Sequence, residues 1–158
     1  LHRQPQQILE LGTSLGLGSL AMSLPKVGEL TTVEACLNSL NVAKDLFQQY
    51  QVDKVITTEN VDFETYLDRL EKKVQFDLVI IDGHHTYEAT WRYFKKLLAH
   101  LHAGSLLVLD DLYWSKEMTQ AWNEICQSEK ISISIDTFEL GFLFFRTGIE
   151  KQHFRIRL

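Results

Sequence analysis

Four short stretches of this chain carry residue types that can do chemistry together. The first is Glu10-Leu11-Gly12-Thr13-Ser14-Leu15-Gly16-Leu17-Gly18, an apolar run that breaks into glycines. Glycines let backbone approach a ligand closely, and a helix that starts after them points free N–H groups at it. A dinucleotide fingerprint would read Gly-x-Gly-x-x-Gly. Here Ser14 stands in place of the middle glycine, and an acid, Glu10, precedes the first. A carboxylate beside the loop repels a pyrophosphate and can pair with an ammonium group, so the pattern favours a cationic or zwitterionic nucleotide-like ligand.

The second stretch ends at Glu34, 22 residues after Gly12. An acid at that separation is placed to accept hydrogen bonds from two ribose hydroxyls. Asn60, after the next apolar run, is a candidate to meet an adenine amino group, with a turn-forming role as the alternative. The third stretch is Asp82-Gly83-His84-His85, and the fourth is Asp110-Asp111. Three carboxylates brought to one place repel one another unless a cation or a proton compensates, and hard oxygen ligands select magnesium, calcium or manganese. His85 can serve as a general base near neutral pH.

The elements that must position these groups follow from hydropathy. Apolar runs at 8–11, 30–33, 55–58, 77–81 and 106–109 read as strands, and 77–81 is continuous enough to be covered on both faces. Helical stretches are expected at 15–24, closed by Pro25 and the Lys26-Val27-Gly28 turn, and at 37–50, with Leu40, Ala43, Phe47 and Tyr50 inward. A third helix, capped by Asp62, places Phe63, Leu67, Leu70 and Val74 on one face. A fourth spans 86–101 with Tyr87, Trp91, Phe94, Leu98 and Leu101 inward, and a fifth, capped by Ser115, buries Met118, Ala121, Trp122 and Ile125. Then 131–135 alternates with period two and 140–145 follows with no room for a helix, which predicts an antiparallel hairpin. The alternating tail at 150–158 can add a short edge piece. The expectation is an α/β, Rossmann-like, doubly wound sheet of seven mostly parallel strands with an antiparallel last strand, in one domain spanning 1–158.

Composition bounds the rest. The chain has 158 residues, 45% of them hydrophobic, and a net charge of −5; the charge argues against a nucleic-acid partner. No apolar run is long enough for a membrane span and no signal peptide is visible, so a cytoplasmic setting is expected. Cys36 and Cys126 read as small buried residues. His2, His100, His102 and His153 read as surface residues. Tyr87, Tyr113 and Trp114 are candidates to line an aromatic pocket, with core packing favoured for Tyr87; Trp91, Phe94, Trp122 and the aromatics of 142–145 are core by spacing.

Taken together, Glu10 to Gly16, the strand-end Glu34 and the terminal hairpin resemble a class I S-adenosylmethionine-dependent methyltransferase over nearly the whole chain. The resemblance implies that Gly12, Thr13, Ser14 and Gly16 hold the methionine portion, with Glu10 and Asp82 beside it, and that Glu34 holds the ribose. The second pair of stretches is similar to O-methyltransferases of the catechol and caffeoyl-coenzyme A type, and more closely to a bacterial branch with an Asp-Gly-x-His stretch. In the catechol type the positions of Asp82, Asp110 and Asp111 bind a divalent metal, here expected to be magnesium or calcium, and a lysine stands where this chain has His85. What this implies is O-methylation of a small-molecule hydroxyl with Asp82 and His85 as catalytic groups. A metal-free N-methyltransferase and a non-catalytic cofactor-binding subunit are the alternatives. Only seven residues precede the first strand, fewer than such enzymes usually carry; the cover of the substrate side is then missing, supplied by a partner subunit such as a homodimer mate, or outside this sequence. A chain that begins at Leu1 is also consistent with a partial one.

Overall fold

The computed structural model describes residues 4–25 and 28–157; Lys26 and Val27 of the expected turn, His2 and Leu158 lie outside them. Strands β1 (Gln7–Leu11), β2 (Glu29–Val33), β3 (Ile56–Glu59), β4 (Phe76–Ile81) and β5 (Leu101–Leu109) alternate with helices α1 (Leu17–Ser23), α2 (Leu37–Gln49), α3 (Phe63–Asp68) and α4 (Tyr87–Leu97). After α5 (Lys116–Gln127) come β6 (Ile133–Asp136), β7 (Gly141–Phe144) and β8 (Gln152–Arg155). The sheet has eight strands rather than seven, in the order β3-β2-β1-β4-β5-β7-β6-β8. The extra strand is the alternating tail, which pairs parallel to β6. β7 alone runs against its neighbours, antiparallel to both β5 and β6.

The doubly wound covering follows from the two apolar faces. Ile8, Leu30 and Ile56 pack with Leu20 of α1 and Ala43 and Phe47 of α2. On the opposite face Leu9, Leu11, Val79, Ile81, Leu107 and Leu109 pack with α3, α4 and α5 through Leu67, Phe94, Leu97, Trp122 and Ile125. Fully burying each such side chain is worth about 1.5–3 kcal/mol.

Several helix expectations shift. Asp62 caps α3 as expected, accepting from Thr65 N–H at 2.8 Å, but the helix stops at Asp68, and Leu70 and Val74 pack from the turn beyond it. On α4 the buried positions are Ala89, Thr90, Tyr93, Phe94 and Leu97; Tyr87 and Trp91 are half-buried and donate to Glu124 of α5. Leu98–His100 is a 3-10 turn and Leu101 already begins β5. His100 is buried, not a surface residue, with its Nδ1 facing the Val74 carbonyl at 2.9 Å. Cys36 is exposed and precedes α2, because the turn leaving β2 faces outward; Cys126 is buried as expected. Tyr50 is 49% exposed rather than inward, since it closes α2 beyond its packed face.

Candidate active site

The chain order reverses between β1 and β4, the place where open α/β sheets bind ligands at the carboxyl ends of their strands. The ladder there runs one rung past the strands. Gly12 N–H donates to Val33 O at 3.0 Å, Glu34 N–H to Glu59 O at 3.0 Å, Asp82 N–H to Leu11 O at 2.8 Å, and Asp110 N–H to Ile81 O at 3.0 Å. Glu34, Gly12, Asp82 and Asp110 are thereby set in a row along one edge, with their spacing fixed by backbone hydrogen bonds.

Between them lies a cleft of about 390 Å³ lined by Gly12, Ser14, Glu34, Ala35, Asp62, Phe63, Asp82, Gly83 and His84. A larger concavity of about 740 Å³ opens at the other end of the sheet, among Leu101, Ile131 and Phe145, away from all four stretches. Gly12 shapes the cleft through what it lacks. It sits at φ 118°, and a Cβ there would lie 1.8 Å from the Asp82 carbonyl oxygen. Gly16 serves a different purpose, since a Cβ on it would collide with Ala43 and Phe47, both at 2.8 Å. It seats the start of α1 on α2 and does not face the cleft.

Glu34 carries two backbone bonds at the rim. Its Oε2 accepts from Ser14 N–H at 3.0 Å and its Oε1 from Cys36 N–H at 2.8 Å. Each oxygen keeps a further lone pair for a second donor. Asn60 lies outside the cleft lining. Its amide nitrogen donates to the carbonyls of Glu34 and Ala35 at 2.8 and 3.1 Å, so both its N–H groups brace the Glu34 segment and the expected adenine contact gives way to a structural one.

Glu10 also departs from expectation. Alternation along β1 points it to the α1 face, where it is 4% exposed and accepts from the hydroxyls of Ser19 and Thr32. Burial pushes its carboxyl up to about 7, the two hydroxyls opposing. The Thr13 hydroxyl joins the same buried cluster at 2.6 Å from Thr32. Glu10 and Thr13 therefore hold the loop from beneath, and the carboxylates that line the cleft are those of Glu34, Asp62 and Asp82.

At the other end of the row the two remaining stretches meet. His85 Nε2 lies 3.8 Å from Asp82 Oδ1 and 3.6 Å from Asp111 Oδ2. Burial first, and then the nearby Asp110 carboxylate, push the pKa of Asp82 up, with Asp111 adding and His85 opposing. His84, His85 and Asp111 all have positive φ, at 64°, 25° and 57°. Such backbone persists only where its surroundings over-determine it. Trp114 is 73% exposed, with its ring centroid 6.2 Å from that of His85.

The donor set at this corner, three carboxylates, is chemically right for a hard divalent cation. The spacing is not that of a ligand set: among the described residues no three His, Cys, Asp or Glu side chains converge closely enough to hold a metal ion. The Asp111 N–H occupies Asp110 Oδ1 at 2.9 Å, and the His85 imidazole stands between Asp82 and Asp111. Three lining residues had no ligand role in the sequence reading or only a minor one. In the sequence Asp62 reads as a cap, Phe63 as part of a helix stripe, and only His85 of the histidine pair carries a stated role. Phe63 and Tyr93 both pack on His84, and the Tyr93 hydroxyl meets its Nδ1. A Cβ on Gly83 would lie 2.9 Å from the Phe63 ring, so this glycine lets the ring close over the cleft.

A fold of this topology with this edge defines a class, and comparison with known proteins specifies it. The chain belongs to the O-methyltransferase family, whose sequence model matches residues 3–138. Tapetum-specific methyltransferase 1 of Arabidopsis thaliana is 26% identical over 122 residues, 74% of this chain and 51% of that protein; the chain thus spans about half the length of this curated relative. Among solved structures, the S-adenosylhomocysteine-bound methyltransferase PaMTH1 of Podospora anserina superposes with a TM-score of 0.77 at 18% identity, covering 91% of this chain and 73% of that one. The O-methyltransferase TomG of Streptomyces achromogenes, in complex with S-adenosylmethionine, superposes with a TM-score of 0.76 at 17% identity, covering 90% and 74%. These structural likenesses establish the fold. No helix among the described residues is long and apolar enough to cross a membrane.

Proposed function

We propose that the protein binds S-adenosylmethionine in the cleft between Glu34 and Asp82 and methylates a hydroxyl of a small molecule held at the His85 corner. The observation that carries this reading is the row of Glu34, Gly12, Asp82 and Asp110, which puts a ribose acceptor, an open backbone and a carboxylate in sequence along one cleft. When bound, S-adenosylmethionine supplies a sulfonium-borne methyl group to an acceptor oxygen. Glu34 offers one free lone pair on each carboxylate oxygen to the ribose hydroxyls. Ser14 and Gly12 line the path of the methionine portion, and Asp82 faces its ammonium group. Asp62, Phe63 and His84 close the adenine side.

His85 takes the acceptor proton on Nε2, and the flanking carboxylates of Asp82 and Asp111 stabilise the imidazolium that results. Proton transfer of this kind contributes about 10²–10⁴ in rate. Calorimetry with S-adenosylhomocysteine tests the cofactor reading: saturable binding by the intact protein, weakened in Glu34→Ala, is expected, and no binding overturns it.

A divalent cation is a second reading: the charge of three carboxylates facing one imidazole favours it, although the side chains as placed do not form a ligand set. Magnesium or calcium at millimolar concentration is then expected to raise the melting temperature, and the Asp110→Ala/Asp111→Ala double variant to abolish the rise. An unchanged melting curve, with methyl transfer that survives a chelator, sets the metal aside and favours the metal-free chemistry of the alternative reading. Cover of the exposed Trp114 side by a second copy, and a reducing cytoplasmic setting that keeps both thiols free, complete the proposal; sedimentation reads the former.

A further inference from the structure

Asp136 ends β6 on the same sheet edge as Asp82 and Asp110, and its side chain is fully buried. A buried carboxylate is costly unless it is paired and hydrogen-bonded. Four donors from three separate segments converge on this one. The Tyr113 hydroxyl donates at 2.6 Å, Arg157 Nη1 at 2.9 Å, Arg155 Nε at 3.2 Å and the Phe138 N–H at 2.9 Å. The Arg157 guanidinium also lies over the rings of Tyr113 and Phe138, at 5.7 and 5.6 Å from their centroids, and those rings stack at 5.2 Å. Tyr113 is thus held by its hydroxyl and against its ring.

Tyr113 belongs to the tight turn that carries the acceptor corner. The Trp114 N–H donates back to Asp111 O at 3.0 Å, and the Leu112 N–H to Glu139 O of the β6–β7 loop at 3.2 Å. The first residue of this turn, Asp111, is held at φ 57° with its carboxylate 3.6 Å from His85. The last, Trp114, puts its ring beside the same imidazole. The clamp on Tyr113 joins the fully buried Leu112, whose carbonyl accepts from the Thr119 hydroxyl at 3.2 Å, in fixing this turn and the left-handed Asp111 that opens it.

We propose that Arg157, acting through Asp136 and Tyr113, is a positioning residue that sets where Asp111 and Trp114 stand relative to His85. This rests on the proposed acceptor corner, but it makes a prediction that needs no acceptor. Protein labelled with 5-fluorotryptophan gives one resonance for each of Trp91, Trp114 and Trp122, and Trp114→Phe assigns the middle one. In Arg157→Ala and in Tyr113→Phe the Trp114 resonance is expected to move or broaden, while those of Trp91 and Trp122 stay. Turnover of a catechol probe, 3,4-dihydroxybenzoate, is expected to fall about tenfold in kcat, part of the cost of an ångström-scale misplacement, with the Kd for S-adenosylhomocysteine within about twofold of wild type. Arg157→Lys, which keeps the charge without the planar fork, falls between.

A Trp114 resonance unchanged in both variants overturns the proposal. So does a lowered melting temperature with kcat and acceptor KM unchanged, since that pattern belongs to a strut holding β8 alone. If Arg157→Ala does not fold, Tyr113→Phe, which keeps the stacked ring, decides. Wild-type protein that binds S-adenosylhomocysteine but does not turn over the probe counts against the acceptor reading, and the Trp114 resonance then decides this one.

Discussion

The two halves of the cleft treat their carboxylates in opposite ways. On the β1–β2–β3 side Glu34 is already engaged by two backbone N–H groups, and Glu10 is buried beneath the loop among hydroxyls. On the β4–β5 side Asp82, Asp110 and Asp111 crowd one corner with a single imidazole among them. The first half is shaped before any ligand arrives, which lowers the ordering cost of binding. The second carries charge that its own neighbours do not neutralise, which is what a site that moves protons requires. On the proposed function, binding and chemistry fall to different strands of one sheet.

The strongest way to break this division is at the contact both halves share. Gly12→Ala drives a Cβ into the Asp82 carbonyl oxygen in a backbone region that L residues rarely adopt. It is expected to cost about 4 kcal/mol of stability, roughly 10 °C in Tm for a domain of this size, and to abolish S-adenosylhomocysteine binding; thermal melts and calorimetry read both. His85→Asn should separate the halves instead. Its kcat is expected to fall by about 10²–10⁴, while the Kd for S-adenosylhomocysteine stays within about twofold. Glu34→Ala is the mirror test. Losing hydrogen bonds to a charged group, each worth about 1.5–3 kcal/mol, is expected to weaken cofactor binding by about 10²-fold and to leave kcat at saturating cofactor far less changed.

Two buried carboxylates sharpen the contrast through pH. Glu10 has its pKa raised by burial to about 7 in the fold, so the folded state holds a proton that the unfolded chain releases nearer 4.3. Stability is then unaffected below about pH 4 and is lost as pH rises towards 7. Glu10→Gln is expected to raise Tm at pH 8, by the equivalent of about 1–3 kcal/mol, and to do little at pH 4. Asp136 behaves in reverse. Burial opposes its ionisation, but Arg157, Tyr113 and the Phe138 N–H prevail and hold it at about 2. Its contribution is present above the unfolded value near 3.9 and disappears as pH falls towards 2, about 2 kcal/mol in all. An acid melt of Asp136→Asn should lack that step, from a lower starting stability.

Much of this edge was legible in the chain because strand ends and glycines leave strong local marks. The apolar runs before Gly12, Glu34, Asp82 and Asp110 placed all four at one rim. Direction within a strand was harder to read. Both faces of β1 are covered, so period two alone did not tell whether Glu10 points to the cleft or to α1. In β6 the period-two alternation holds, but it is the polar Ser134 and Asp136 that are buried, while Ile133 and Ile135 are only half-buried. The cause lies 19–21 residues away, where His153 meets Ser134 and Arg155 and Arg157 meet Asp136. Partners at that separation leave no local signal. Asp62 and Phe63 were hidden differently, because a helix cap and a helix stripe accounted for them without reference to the cleft.

The missing side chain of Gly12 also has a mechanical meaning. With Asp82 N–H bonded to Leu11 O at 2.8 Å and the Asp82 carbonyl lying where a Cβ would be, the ends of β1 and β4 abut like two faces of a gauge block. The interval from the loop to the Asp82 carboxylate is set by backbone alone. On the proposed function, replacing side chains at 83–86 or 111–114 would re-tool the acceptor corner without changing that interval, so that different acceptors meet one constant donor distance.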